Sequence, residues 1–176
     1  MNFAIISAMD QKRGIGKDNR LPWHISADLK HFASVTNKGT VIMGRKTWDS
    51  IPEKWRPFKD RLNIVISRGE ITLPEGVLLA HSLDEALLLA EKTNPLEKAF
   101  VIGGASLYAE SINHSACTEL YITEVNGIFD CDAYFPELPA GFNKVEEGEN
   151  IQEGEILFRF VKYEKILLSH KRGNNL

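Results

Sequence analysis

The chain has two cysteines, Cys117 and Cys131, in 176 residues, and they are too far apart to form a C-x-x-C pair. That excludes a disulfide framework and a thiolate zinc cluster, and fits reduced thiols in a cytoplasmic protein. The five histidines, His24, His31, His81, His114 and His170, are dispersed without ligand spacing, so no metal is expected and each reads as an exposed side chain. No apolar run approaches the ~20 residues that cross a bilayer, and the opening Met1-Asn2-Phe3-Ala4 carries no basic leader, so neither a membrane span nor export is expected. Charge of one sign is also missing: 21 basic residues face 24 acidic ones, for a formal net charge of -3, and neither kind forms a long run. Nucleic acid is therefore not an expected partner. There is no P-loop and no G-x-S-x-G elbow. Gly14-Ile15-Gly16 has the first two glycines of a dinucleotide fingerprint, but Asn19 stands where the third belongs. With no exposed apolar stripe, a monomer is the expected state.

What is present is a chain with 43% hydrophobic content, enough for one domain with a sizeable core. Phe3 to Met9 is an almost unbroken apolar run, the pattern of a strand covered on both faces. Asp10 to Arg20 reads as a mobile loop, and Ser26 as the N-cap of a helix reaching about Thr36. Strands are expected at 40–43, 62–67, 77–80, 99–102 and 120–125, and short helices after Gly44 and Gly104. Ser82-Leu83-Asp84-Glu85 is a capping box opening the clearest helix, to about Lys92. Alternation at Ile156, Phe158 and Phe160 predicts antiparallel strands at the end. The order of elements implies an α/β sheet in a single domain over 1–166, with 167–176 expected as a flexible tail.

Three groups of residues invite chemistry. In the Ser26 helix, Asp28, Phe32 and Val35 share one face while His31 points elsewhere, so a carboxylate lies along an apolar side. Locally a first-turn Asp complementing the helix dipole at the surface is the simpler reading. Met43-Gly44-Arg45-Lys46-Thr47 and Ile102-Gly103-Gly104-Ala105-Ser106 are strand–glycine–helix junctions, which let a phosphate approach backbone N–H groups. Glycine also serves any tight turn. Arg45, Arg68 and Ser67 could hold a phosphate monoester, and Arg61 could clamp a carboxylate.

Together these motifs resemble the bacterial dihydrofolate reductases, over about residues 2–166. The resemblance rests on Gly14-Ile15-Gly16, Leu21-Pro22-Trp23, Asp28-Leu29 with Phe32, Val41 to Trp48, Ile102-Gly103-Gly104 with Tyr108, and Tyr121-Ile122-Thr123. It implies a mixed, mainly parallel sheet of about eight strands with about four flanking helices and an antiparallel C-terminal strand. It implies NADPH-dependent reduction of 7,8-dihydrofolate, with Asp28 gripping the pterin, Thr123 bonded to it, and Leu21 and Trp23 beside the reacting centre. Ile6, Ala8, Leu29, Phe32, Ile51, Phe58, Arg61 and Ile102 would line the substrate. Cofactor would meet Ala8, Ile15, Gly16, Asn19, Arg20, Leu21, Gly44, Arg45, Lys46, Thr47, Ser67, Arg68, Ile102, Gly103, Gly104, Ala105, Ser106, Leu107 and Tyr108. Antifolates such as trimethoprim or methotrexate would share the cleft, and Asp10 to His24 would act as a lid. A ribosylaminopyrimidine reductase on the same fold and a nucleotide-sensing module remain the other readings.

Overall fold

A computed structural model describes residues 1–166; the tail expected at 167–176 lies outside the described residues. The described residues run through eleven strands and four α-helices in the order β1 (Phe3–Met9), β2 (Gly14–Gly16), α1 (Ser26–Val35), β3 (Thr40–Gly44), α2 (Arg45–Ser50), β4 (Leu62–Ile66), β5 (Val77–Ala80), α3 (Leu83–Thr93), β6 (Ala99–Val101), α4 (Ala105–Ile112), β7 (Cys117–Val125), β8 (Ala133–Tyr134), β9 (Phe142–Glu147), β10 (Ile151–Glu153) and β11 (Ile156–Lys165). Eight strands follow one path, β10-β11-β7-β1-β6-β3-β4-β5, with β9 added beside β11. Pairings from β7 through β5 are parallel, while β11 runs antiparallel to β7, β9 and β10. The mixed, mainly parallel α/β architecture anticipated above is the one observed.

Apolar alternation along the central strands fills two layers, because successive strand side chains point to opposite faces. Phe3, Ile5, Ile42 and Ile64 join Leu83, Ala86, Leu87, Leu107 and Ile112 of α3 and α4 in the largest core. Val41, Met43 and Val65 turn the other way, to Trp48 of α2 with Phe32, Ile51 and Phe58 against them. Ala4, Ile6 and Phe100 meet Phe32 and Val35 of α1 on that same side. The parallel strands thus end, at their C-terminal edge, between α1 and the α2 and α4 junctions, where open α/β sheets place their ligands.

One local expectation changes. Ser26 does not cap α1. The N-cap is Ile25, without a side-chain bond. Instead the Glu153 carboxylate at the end of β10 accepts from Ser26 N (2.7 Å) and Ala27 N (3.0 Å). Those donors, Ala27 first, hold the Glu153 carboxyl below its ordinary range. At Ser82 the cap forms as expected, Ser82 Oγ accepting from Glu85 N at 3.1 Å, while the Glu85 carboxylate accepts from His81 N, one residue before the cap, at 2.7 Å.

The stretch after β1 carries more order than its glycines imply. Gly14–Gly16 pairs antiparallel with Ala133–Tyr134 as a two-stranded sheet. Here Gly14 serves close approach: a Cβ would lie 2.6 Å from Cys131 Sγ and 3.0 Å from Asp10 Oδ2. Gly14→Ala is therefore expected to destabilise by about 1–3 kcal/mol, the usual range for overpacking, and Cys131→Ala should restore part of it. Thermal unfolding of the single and double variants checks this; additive losses would place the strain elsewhere.

Candidate active site

The half-buried stripe of α1 is Asp28, His31, Phe32 and Val35, the i, i+3, i+4, i+7 positions of one helix face. His31 therefore shares the face of Asp28, contrary to the reading that it points elsewhere. Its ring stacks on Phe160 of β11 with centroids 3.9 Å apart, and Phe160 is the register partner of Thr123 on β7. Thr123, nearly fully buried, donates its hydroxyl to Asp28 Oδ1 at 2.6 Å. Among the described residues nothing donates to Asp28 Oδ2. Burial pushes the Asp28 carboxyl above its ordinary range, against the Thr123 hydrogen bond and the nearby His31 ring. Burial likewise lowers His31, with Asp28 opposing. Asp28 is thus a cleft carboxylate with one free oxygen, not a surface partner of the helix dipole.

Around it the structure gathers most of the expected apolar wall. Phe32, Ile51, Phe58 and Ile102 are partly buried against the α2-side core, and Ile6 packs beneath Phe32 and Ile102. Leu29 stays exposed. Trp23 is buried with Ile25, Val125 and Phe158, with Ala8 packed against them. Its indole Nε1 is sealed from solvent and has no hydrogen-bond partner. Arg61 is pinned at the far end: Nε donates to Lys59 O at 3.0 Å and one terminal nitrogen to Thr36 Oγ1 at 3.1 Å. Its guanidinium lies 5.3 Å from the Phe58 ring centroid and 6.0 Å from that of Phe32. No carboxylate among the described residues pairs with it.

The two glycine junctions are neighbours, since β3 and β6 pair directly, and Gly44 N donates to Gly103 O at 2.8 Å. Gly103 has φ +121°, a conformation that L side chains rarely adopt, and a Cβ on Gly104 would sit 3.2 Å from Thr47 Oγ1. Helix α4 starts at Ala105 with no side-chain cap, so the first N–H groups, at Ala105, Ser106 and Leu107, stay available. Leu107 and Tyr108 depart from the expectation for side chains at a ligand: both are buried, and Tyr108 donates its hydroxyl to Ile6 O at 2.8 Å. Burial keeps that phenol well above its ordinary range. Arg45, Lys46 and Arg68 are exposed, and Ser67 is buried at the end of β4.

Several residues escaped the sequence reading. His81 holds Ser67 in place, its Nδ1 lying 2.8 Å from Ser67 O, and His114 packs on Phe3 and bonds Asp84, so neither is merely an exposed side chain. Nothing in a single isolated histidine signals such a role. Of the lid stretch, Asn19 Nδ2 donates to Lys46 O at 3.0 Å, tying it to α2, and Ile15 packs toward the main core. Gly16 O accepts from Asp132 N. Arg20 and Leu21 line an open depression of about 480 Å³ shared with Phe129 and Asp130 rather than the Asp28 cleft.

Comparison with known proteins meets this geometry. A dihydrofolate reductase family model matches residues 2–165. The dihydrofolate reductase of Heliothis virescens is 38% identical, with 92% of this chain and 96% of the relative covered. That of Drosophila melanogaster is 38% identical over 97% of this chain and 99% of the relative. A viral dihydrofolate reductase from Saimiriine herpesvirus 2 is 40% identical, covering 92% and 84% respectively. These relatives come from insects and a virus, so the specifically bacterial resemblance is not what they carry. Among the described residues no helix is long and apolar enough to cross a membrane. With a half-buried carboxylate held by a threonine, two hydrogen-bonded glycine junctions and a family match spanning nearly the whole chain, the placement is plain: the chain belongs to the dihydrofolate reductase family of oxidoreductases.

Proposed function

We propose that the chain reduces 7,8-dihydrofolate to 5,6,7,8-tetrahydrofolate with NADPH, as a cytoplasmic monomer built on residues 1–166. The observation that carries this reading is the Asp28–Thr123 pair, a carboxylate with one oxygen bonded and the other left free, on the same half-buried helix face as Phe32. The two carboxylate oxygens suit the 2-amino group and N3 of a pterin, donors that lie side by side. Thr123 orients the carboxylate, the backbone at Ile6, Ala8 and Ile102 borders the ring, and Leu29, Phe32, Ile51 and Phe58 flank the aminobenzoyl group. Arg61 takes the glutamate α-carboxylate.

The residues present fit a nicotinamide dinucleotide. The side-chain-free cradle at Gly103-Gly104 and the uncapped start of α4 suit a pyrophosphate, with N–H groups from Ala105 to Leu107 facing negative charge. Gly44, Lys46 and Thr47 border the same space; closure of the stretch that carries Gly16, Asn19, Arg20 and Leu21 would bring it over the nicotinamide from the separate depression that Arg20 and Leu21 line, with Ile15 holding its base to the main core. When bound, the cofactor supplies hydride to pterin C6. The chain's own part is to orient the pterin, exclude bulk water and manage one proton. Asp28 raises the proton affinity of the bound pterin, and N5 is protonated from water admitted past Leu21 and Trp23. Antifolates such as trimethoprim or methotrexate would compete at Asp28, and the product would feed thymidylate, purine and glycine synthesis.

Loss of reduced-nicotinamide absorbance on adding dihydrofolate tests the reaction; absence of turnover would sink it. Cofactor choice has its own test. Arg45→Ala and Arg68→Ala are each expected to weaken NADPH binding roughly tenfold or more, the scale of a charge-assisted contact, and NADH binding by less than about twofold. Equal effects on both cofactors would refute the 2′-phosphate assignment to Arg45, Ser67 and Arg68.

A further inference from the structure

We infer that Asp10, at the end of β1, is a positioning residue for the active site, acting through Phe129 on Trp23. This rests on the proposed reductase activity, although the link itself can be read without it. Asp10 is 4% exposed and forms no ion pair among the described residues. A buried carboxylate without a cation is costly unless hydrogen bonds replace its water. Three backbone N–H groups do so: Lys12 N (2.8 Å) and Gly14 N (2.7 Å) on Oδ1, and Phe129 N (2.8 Å) on Oδ2.

The division between the two oxygens matters. Oδ1 serves the local turn after β1, a task a serine or asparagine could also perform. Oδ2 is committed to a residue 119 positions away, between β7 and β8. The Phe129 ring then meets the Trp23 indole edge-on, with centroids 5.1 Å apart and planes at 73°. Trp23 packs in the same cluster as Ala8 of β1, Ala27 of α1, the residue before Asp28, and Phe160, on which His31 stacks. Other links between the two loops, Gln11 to Asn126 and Asp18 to Asp132, lie at the surface. Backbone bonds flank the same segment, from Gln11 N to Gly127 O (3.1 Å) and from Asp132 N to Gly16 O (2.9 Å), but Asp10 is the buried side chain among these links and accepts from the N–H of Phe129 itself.

Asp10→Asn tests the link in the full chain. Asparagine keeps the Oδ1 acceptor and turns an amide N–H₂ toward Phe129 N–H, donor against donor. The expected result is a fall in kcat on the order of ten- to a hundredfold, the scale of a slightly misplaced reacting geometry, with KM for dihydrofolate within about twofold. The Trp23 indole ¹⁵N–¹H resonance, assigned through Trp23→Phe, should shift with it. Phe129→Leu keeps the backbone N–H that donates to Asp10 and removes the ring, so adding Asp10→Asn to it should lower kcat little further. If Asp10→Asn fails to fold, Asp10→Ser, which retains the turn but cannot reach Phe129, is expected to give the same pattern. The inference is overturned by unchanged kcat, by additive losses in the double variant, or by a Trp23 resonance that stays put while kcat falls. A parent without turnover defeats the activity reading alone, and the Trp23 resonance then decides the link.

Discussion

Asp28→Asn is expected to reduce turnover at pH 7 by about 10²- to 10⁴-fold, the span over which a positioned acid–base group contributes. Asparagine is nearly isosteric and keeps an oxygen to accept the Thr123 hydroxyl, so the local packing survives. What is lost is the anion: the substituted amide presents its own donors to the pterin's donors. Stability is expected to move the other way. Burial raises the Asp28 carboxyl above its unfolded value, so the folded state holds that proton more tightly. The resulting stabilisation is complete below the unfolded carboxyl pKa and disappears as pH rises through the raised folded value. At neutral pH the parent therefore bears the cost of a buried charge that the asparagine variant lacks. Melting temperatures of the two proteins should be close in acid and separate toward neutrality, with the variant the higher. Undiminished turnover would remove Asp28 from the site, and a variant less stable at neutral pH than in acid, relative to the parent, would contradict the burial.

Arg61→Lys is expected to raise KM for dihydrofolate roughly 10- to 100-fold with kcat nearly unchanged, because a bidentate charge-assisted contact is worth about 1.5–3 kcal/mol. The guanidinium is held from two sides, by Lys59 O and by Thr36 Oγ1. Thr36 in turn donates its hydroxyl to Phe32 O at 2.8 Å, so the clamp is braced by the end of the helix that carries Asp28. Burial lowers the Arg61 pKa, yet a guanidinium remains charged at neutral pH. A lysine there keeps a charge and loses the planar fork. The loss falls on ground and transition states alike, which is the signature of uniform binding. A pterin lacking the glutamate should be turned over equally by both proteins; if it too suffers, Arg61 is supporting the cleft rather than binding the tail.

Features that depend on near neighbours were legible in the sequence. The Ser82–Glu85 box specified the start of α3 because its partners lie within one turn. The apolar runs at Phe3–Met9 and Thr40–Met43 announced strands buried on both faces, and the glycine junctions were visible as motifs. Their hydrogen-bonded adjacency was not, because it needs the order β6-β3 in the sheet. Strand β9 went unseen since five of its six residues are exposed and it alternates no apolar face. Strand β2 is only three residues and exists through its pairing with β8. His31 is polar in the sequence, yet its ring completes the helix stripe by lying nearly flat on Phe160. Asp10 read as the first residue of a loop, and only the fold brings Phe129 N to its second oxygen.

The Glu153 cap on α1 also bears on how the protein comes to exist. The helix bearing Asp28 is made early, but its N-terminal amides find their carboxylate 127 residues later. At synthesis rates of about 5–20 residues per second, the helix waits on the order of 10 s for that partner to leave the ribosome. Thr123, the other anchor of Asp28, emerges before it. A nascent chain halted between β7 and β10 would hold the acid and its threonine with the helix start still unsatisfied. The start of the Asp28 helix is thus completed only by the last hairpin of the sheet.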